Sequence, residues 1–194
     1  SENGRSFEPD FAPLVLSSAI VDRIDRWLLP AKGRRKVVIH AGAGYPSKRW
    51  PASRFLELAR RMNEEKVGFP IFIGGNSEND FFSASQPPCE GLNLIGKTSL
   101  EELLALLSRA DLFIGNDSGP AHLAALLKKK IVVLFSGTND FRKWAPWSSN
   151  QIVLHHPVPC SPCEERECPL ERHLCMEEIS LEAAFRSVRE MLGG

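Results

Sequence analysis

Leu112-Phe113-Ile114-Gly115-Asn116-Asp117-Ser118-Gly119-Pro120-Ala121-His122 runs from a short apolar stretch through a polar turn into a helix start. Leu112–Gly115 has the length and character of a buried strand. The turn supplies what the first residues of a helix need: Pro120 lacks an N–H that would go unsatisfied there, and Asp117 or Ser118 can cap the free amides. A strand that passes directly into a helix is the repeating unit of a parallel sheet with crossover helices, and the flanking sequence repeats it. Upstream, Ser99-Leu100-Glu101-Glu102 has the serine and glutamate of a capping box, ahead of an apolar face of Leu103, Leu104, Leu106 and Leu107. Downstream, Ile131–Phe135 reads as the next strand. Toward the N-terminus, Lys36–Ala41, Phe69–Gly74 and Leu92–Ile95 read as strands. Trp50–Met62 reads as a helix, with Phe55, Leu58, Ala59 and Met62 at helical spacing and Pro51 near its start. Ser17–Leu29 and Leu181–Leu192 complete the pattern as amphipathic helices. The expected class is α/β: a Rossmann-like parallel sheet with flanking helices, divided into a linker and docked helix over 1–33 and a single domain over 34–194 that carries a cysteine-rich segment at 157–175.

In such a sheet ligands bind beyond the carboxyl ends of the strands, where helix N-termini present free N–H groups. The loops at that edge, Gly42–Pro51, Gly75–Asp80, Gly96–Ser99, Asn116–Pro120 and Ser136–Asp140, are rich in glycine, hydroxyls, amides and single charges. The opposite loops hold Glu64-Glu65-Lys66, Pro87-Pro88 and Lys128-Lys129-Lys130, which read as surface connections. The asymmetry places a cleft on one edge of the sheet.

Within that edge, Gly42-Ala43-Gly44-Tyr45-Pro46-Ser47-Lys48 reads as a phosphate cradle, with small residues for close backbone approach and Lys48 as a mobile positive charge. It is neither a dinucleotide fingerprint, because Ser47 stands where a third glycine belongs, nor a P-loop, because Ser47-Lys48-Arg49 replaces the final Gly-Lys-Ser/Thr. A turn with a solvated lysine fits the same residues. Asp117, Ser118, Gly119 and His122 fit an ordinary capped helix, in which a lone histidine is more often a packed or capping residue than a catalyst, and they also suit a bound anion or sugar hydroxyls.

With 194 residues, 43% of them hydrophobic, the chain can bury a sizeable core. Its 24 basic residues balance its 24 acidic ones, so charge offers nothing to nucleic acid. No apolar run approaches the roughly 20 residues that span a bilayer, and no secretory layout opens the chain, so a cytoplasmic protein is expected. The opening Ser1-Glu2-Asn3-Gly4, without a methionine, reads as a piece of something longer. Cys160-x2-Cys163-x4-Cys168-x6-Cys175 has a spacing that suits a structural zinc, whereas Cys89 stands apart as a free thiol. Arg34-Arg35-Lys36 and Lys128-Lys129-Lys130 fit a solvated surface or peripheral contact with anionic lipid.

Taken together, Val37–Trp50, Leu94–Glu101, Phe113–Leu126 and Phe135–Trp147 resemble the C-terminal domain of glycosyltransferase family 9, whose best-known members are lipopolysaccharide heptosyltransferases. Lys48-Arg49-Trp50-Pro51 followed by Asp117-Ser118-Gly119-Pro120-Ala121-His122 carries the likeness. The resemblance implies the donor-binding half of an inverting GT-B enzyme that transfers heptose from ADP-heptose to the lipopolysaccharide inner core, at the inner face of the inner membrane, with no required cofactor. It implies that Lys48 lies near the donor phosphates, Glu78 at the ribose hydroxyls and Thr98 beside adenine. Gly42, Ala43, Asp117, Ser118, Gly119, His122 and Thr138 fall around the pyrophosphate and sugar, with Lys48 and Asp117 as the catalytic pair. It places the acceptor's base on an N-terminal domain that this chain does not contain. A nucleotide-binding module without transferase activity, or a GT-B enzyme using another nucleotide sugar, fits the same residues.

Overall fold

The computed structural model describes residues 15–76, 78 and 89–193. Ser1–Gly4, Pro87-Pro88 and, in the loop expected over Gly75–Asp80, Ser77, Asn79 and Asp80 lie outside the described residues.

Among the described residues, six strands form one all-parallel sheet in the order β3-β2-β1-β4-β5-β6. The strands are β1 (Lys36–His40), β2 (Phe69–Ile73), β3 (Leu92–Asn93), β4 (Leu112–Asn116), β5 (Lys130–Phe135) and β6 (Gln151–His155). The helices are α1 (Ser18–Trp27), α2 (Ala52–Glu64), α3 (Leu100–Arg109), α4 (Gly119–Leu126), α5 (Phe141–Trp144), α6 (Leu174–Glu177) and α7 (Leu181–Leu192). This is the doubly wound Rossmann-like arrangement that the sequence predicts. Five strands match their expected positions to within about two residues; β6 was not expected and extends the sheet beyond β5.

Alternation along each strand divides the core between the two faces of the sheet. Val37, Ile39, Val132 and Leu134 meet α2 and α7 through Phe55, Leu58, Met62, Phe185 and Val188. Val38, Ile71, Phe113 and Val133 meet α1, α3 and α4 through Ile24, Leu106, Leu107, Ala121 and Ala124. Helix α1 is further tied to α3 by Arg23–Glu102 (2.7 Å) and Arg109–Asp25 (3.0 Å).

The capping box of α3 forms in both directions: Ser99 Oγ accepts from the Glu102 N–H (3.2 Å) and Glu102 accepts from the Ser99 N–H (2.8 Å). The basic runs serve the fold. The Arg34 guanidinium donates to Asn63 (2.8 Å), pairs with Glu90 (2.8 Å) and lies over the Phe69 ring. Lys129 and Lys130 donate to the carbonyls of Ser108 and Met191, each at 2.6 Å and in the last turn of a helix, where a cation meets the negative end of the dipole. No described helix is long and apolar enough to cross a membrane.

Candidate functional site

The strand order reverses direction between β1 and β4, which opens a crevice at their carboxyl ends. The loop after β1 and the turn after β4 therefore face each other. Asn116, fully buried, fixes their spacing: its amide nitrogen donates to the carbonyls of Ala41 (2.8 Å) and Gly42 (3.3 Å), and its oxygen accepts from the Trp50 N–H (3.0 Å).

Across the crevice Lys48 Nζ lies 2.6 Å from Asp117 Oδ2. With the Asn139 amide set to satisfy both neighbours, its oxygen also accepts from Lys48 Nζ at 2.8 Å. His122 Nε2 lies 3.8 Å from the other Asp117 oxygen, on an exposed ring. Burial pushes the Asp117 carboxyl up, but His122 and the Lys48 ammonium overcome this and hold it below the usual carboxylate range. The crevice thus presents a cation over a buried carboxylate, beside the first turn of α4.

That first turn departs from expectation. Ser118 occupies the N-cap position of α4, but no side-chain cap hydrogen bond forms. The Ser118 hydroxyl turns the other way, donating to the Asn116 carbonyl (3.0 Å) and lying 3.0 Å from His40 Nδ1. The amides opening α4 are left without a side-chain acceptor, as suits an incoming anion.

Glu78 reaches the same edge from beyond β2. Its carboxylate accepts from the Gly75 N–H (2.8 Å), approaches His40 Nε2 (3.4 Å) and covers the bare Cα atoms of Gly42 and Gly74. A Cβ at either glycine would run into that carboxylate, so the absence of a side chain at Gly42 admits Glu78. Ala43 is buried and its carbonyl accepts two bonds from Arg49 (3.2 and 2.9 Å). Thr98 is half-buried just ahead of the α3 cap. Thr138 is buried in a hydroxyl chain with Ser136 (2.8 Å) and Ser47 (3.3 Å).

The cysteine-rich segment packs against both loops as a strap. The Ser47 N–H donates to the Arg166 carbonyl (3.1 Å), while the Cys163 and Glu164 N–H groups donate to the carbonyls of Gly137 and Thr138, each at 3.0 Å. Cys160, Cys163, Cys168, Cys175, Leu170 and His173 line a cavity of about 80 Å³ behind Ser47 and Thr138. The zinc expectation is corrected here. Among the described residues, no group of three or more His, Cys, Asp or Glu side chains is arranged to hold a metal ion. The four cysteines line one cavity and differ in exposure, Cys175 being buried and Cys160 exposed. Trp144 and Trp147 are both exposed.

His40, Asn116 and the strap were not anticipated. His40 and Asn116 end strands whose buried interior residues carry no polar side chain, and a buried polar residue at the carboxyl end of a strand was the available signal.

A doubly wound sheet with a cation, a buried carboxylate and open helix amides at its switch point is an arrangement suited to an anionic ligand. Glycosyltransferase family 9 (heptosyltransferase) matches residues 5–174 of the sequence, and the chain belongs to that family. Lipooligosaccharide heptosyltransferase 2 of Campylobacter jejuni is 30% identical over 198 aligned positions, covering 98% of this chain and 61% of the relative. The Escherichia coli ADP-heptose LPS heptosyltransferase II superposes with a TM-score of 0.74 at 21% identity, covering 92% of this chain and 53% of that one. An E. coli heptosyltransferase solved with ADP gives a TM-score of 0.65 at 18% identity over 92% of this chain and 51% of that one. The chain spans about three fifths of the length of the two Campylobacter jejuni relatives it matches.

Proposed function

We propose that this chain is the donor-binding half of an inverting GT-B heptosyltransferase, holding ADP-heptose for transfer to the lipopolysaccharide inner core at the inner face of the inner membrane. The observation that carries the reading is the Lys48–Asp117 pair at the switch point, beside the uncapped first turn of α4. Family membership and the ADP bound by a structural neighbour support the choice of nucleotide.

In this reading the ADP-heptose pyrophosphate settles over Gly119 and the α4 amides, with the Lys48 ammonium beside it. As the glycosidic bond breaks through an oxocarbenium-like transition state, negative charge grows on the leaving diphosphate. Lys48 and the N–H groups at Ser118 and Gly119 stabilise that charge, and Asp117 holds Lys48 in place and accepts from sugar hydroxyls. Glu78 takes the ribose hydroxyls, Thr98 borders adenine, and Gly42, Ala43, His122 and Thr138 close around the diphosphate and sugar. An inverting transfer also needs a base to take the acceptor's proton, and that carboxylate belongs to an N-terminal domain that binds the acceptor.

Calorimetric titration with ADP, UDP and GDP, together with transfer assays with and without an added N-terminal domain, tests this. ADP is expected to bind most tightly, and transfer to require the added domain. Preference for UDP or GDP overturns the donor, and robust transfer by this chain alone overturns the division of labour. A complete protein that binds ADP but never transfers sugar points instead to a nucleotide-binding module.

A further inference from the structure

His40 ends β1 at 5% exposure, and the reading above gives it no donor contact. Both ring nitrogens are nevertheless engaged, Nδ1 with Ser118 Oγ at 3.0 Å and Nε2 with Glu78 Oε2 at 3.4 Å. Burial pushes the Glu78 carboxyl up, and the hydrogen bond and charge of His40, with the Gly75 N–H, more than offset this, so Glu78 is an ionised acceptor at neutral pH. Nε2 must then carry a proton. The state of Nδ1 decides Ser118: as a lone pair it takes the Ser118 proton, and as an N–H it leaves that proton to the Asn116 carbonyl 3.0 Å away. A single ring therefore links one hydroxyl at the α4 turn to a carboxylate on another loop.

We infer that His40 is a positioning residue that couples the two ends of the bound nucleotide, transmitting the engagement of Glu78 by ribose hydroxyls to Ser118 beside the diphosphate. The inference rests on the nucleotide-diphosphate reading of the cleft. When ribose hydroxyls donate to Glu78, the carboxylate shares its lone pairs and its hold on Nε2 changes. Ser118 then reorients as the diphosphate is being received. Ligands bearing both groups, nucleoside diphosphates and their sugars, gain from this coupling, whereas adenosine or pyrophosphate alone does not.

The test is a double-mutant cycle on this chain, read as ADP affinity by calorimetry. With His40 intact, Glu78→Gln and Ser118→Ala together are expected to change affinity by at least threefold more or less than the product of their separate effects. In a His40→Phe background the two effects should multiply to within about twofold, the limit for independent sites. A residue that only supported the fold would lower affinity in every background without abolishing the interaction between the other two. If His40→Phe does not fold, nitrogen-15 NMR of the native ring gives a second reading. The expected result is a protonated Nε2 and a shift of the Ser118 amide when adenosine alone is added. Multiplicative effects with His40 intact, a deprotonated Nε2 or an unmoved Ser118 amide would overturn the coupling. Failure of ADP to bind the native chain would instead overturn the nucleotide reading.

Discussion

Lys48 and Asp117 hold each other at 2.6 Å across the crevice, so removing either leaves the other's charge without its partner. Charge-assisted hydrogen bonds contribute about 1.5–3 kcal/mol, and Lys48→Ala is expected to weaken ADP binding about tenfold to a hundredfold, measured by calorimetry. Asp117 also leaves a mark on stability. Its folded-state carboxyl titrates below the ordinary range of about 4, so its contribution is complete above that range and disappears as pH falls through the lower, folded value. Thermal unfolding followed from pH 6 to pH 3 should show a shallower acid loss for Asp117→Asn than for the native chain; equal slopes would show that the pair adds nothing. Lys48 and Asp117 were legible in the sequence because a lone lysine after a glycine run and an acid at a helix start stand out against apolar strands. Glu78 was legible only through the resemblance. His40 was not, since its role depends on a serine 78 positions away that no local pattern connects to it.

Asn116 acts at the level of elements, joining the end of β4 to the loop that enters α2. Truncation to alanine leaves the Trp50 N–H and the Ala41 and Gly42 carbonyls without that partner, at a cost of about 3 kcal/mol. Asn116→Ala should lower Tm by about 10 °C, and an unchanged Tm would show that water replaces the amide. The longer helices were legible because the capping box of α3 and a 3.6-residue period are local signals, whereas the four-residue helices α5 and α6 are too short to show a period. Strand β6 escaped because it lies at the sheet edge with half-buried residues and no clear alternation. The strap escaped for a different reason: Pro157–Cys175 has no periodicity, and its bonds to Ser47, Gly137 and Thr138 are long-range backbone contacts. Its thiols should alkylate in order of access. Cys160 is expected to react first with iodoacetamide and Cys175 last, since burial raises the Cys175 thiol, with mass spectrometry following each site. Early labelling of Cys175 would mean that the strap opens readily.

For the molecule as a whole, the sheet order decides where chemistry can occur. Neighbouring β1 and β4 wind outward to opposite sides, so their loops part and leave the crevice between them. A ligand seated there bridges both halves of the sheet and stabilises the global fold through linkage. ADP at a hundred times its Kd should raise stability by about 2.7 kcal/mol, visible as a concentration-dependent Tm. A Tm insensitive to ADP would remove the crevice from consideration as its site. The fold class was legible because a parallel sheet buried on both faces requires apolar strands alternating with amphipathic helices. The strand order was not, because spacing along the chain does not say which strands become neighbours.

The adjacency of β1 and β4 also has a consequence for how the protein is made. Lys48 and Asp117 stand 69 residues apart in the chain, and β2, β3 and α3 lie between the two strands that their loops follow. On the ribosome, the lysine loop emerges long before its partner turn, so a nascent chain stalled ahead of β4 carries half a crevice and no grip on nucleotide. On the nucleotide reading proposed above, ligand binding reports a late event in synthesis and can favour only chains whose central strand pair has already closed.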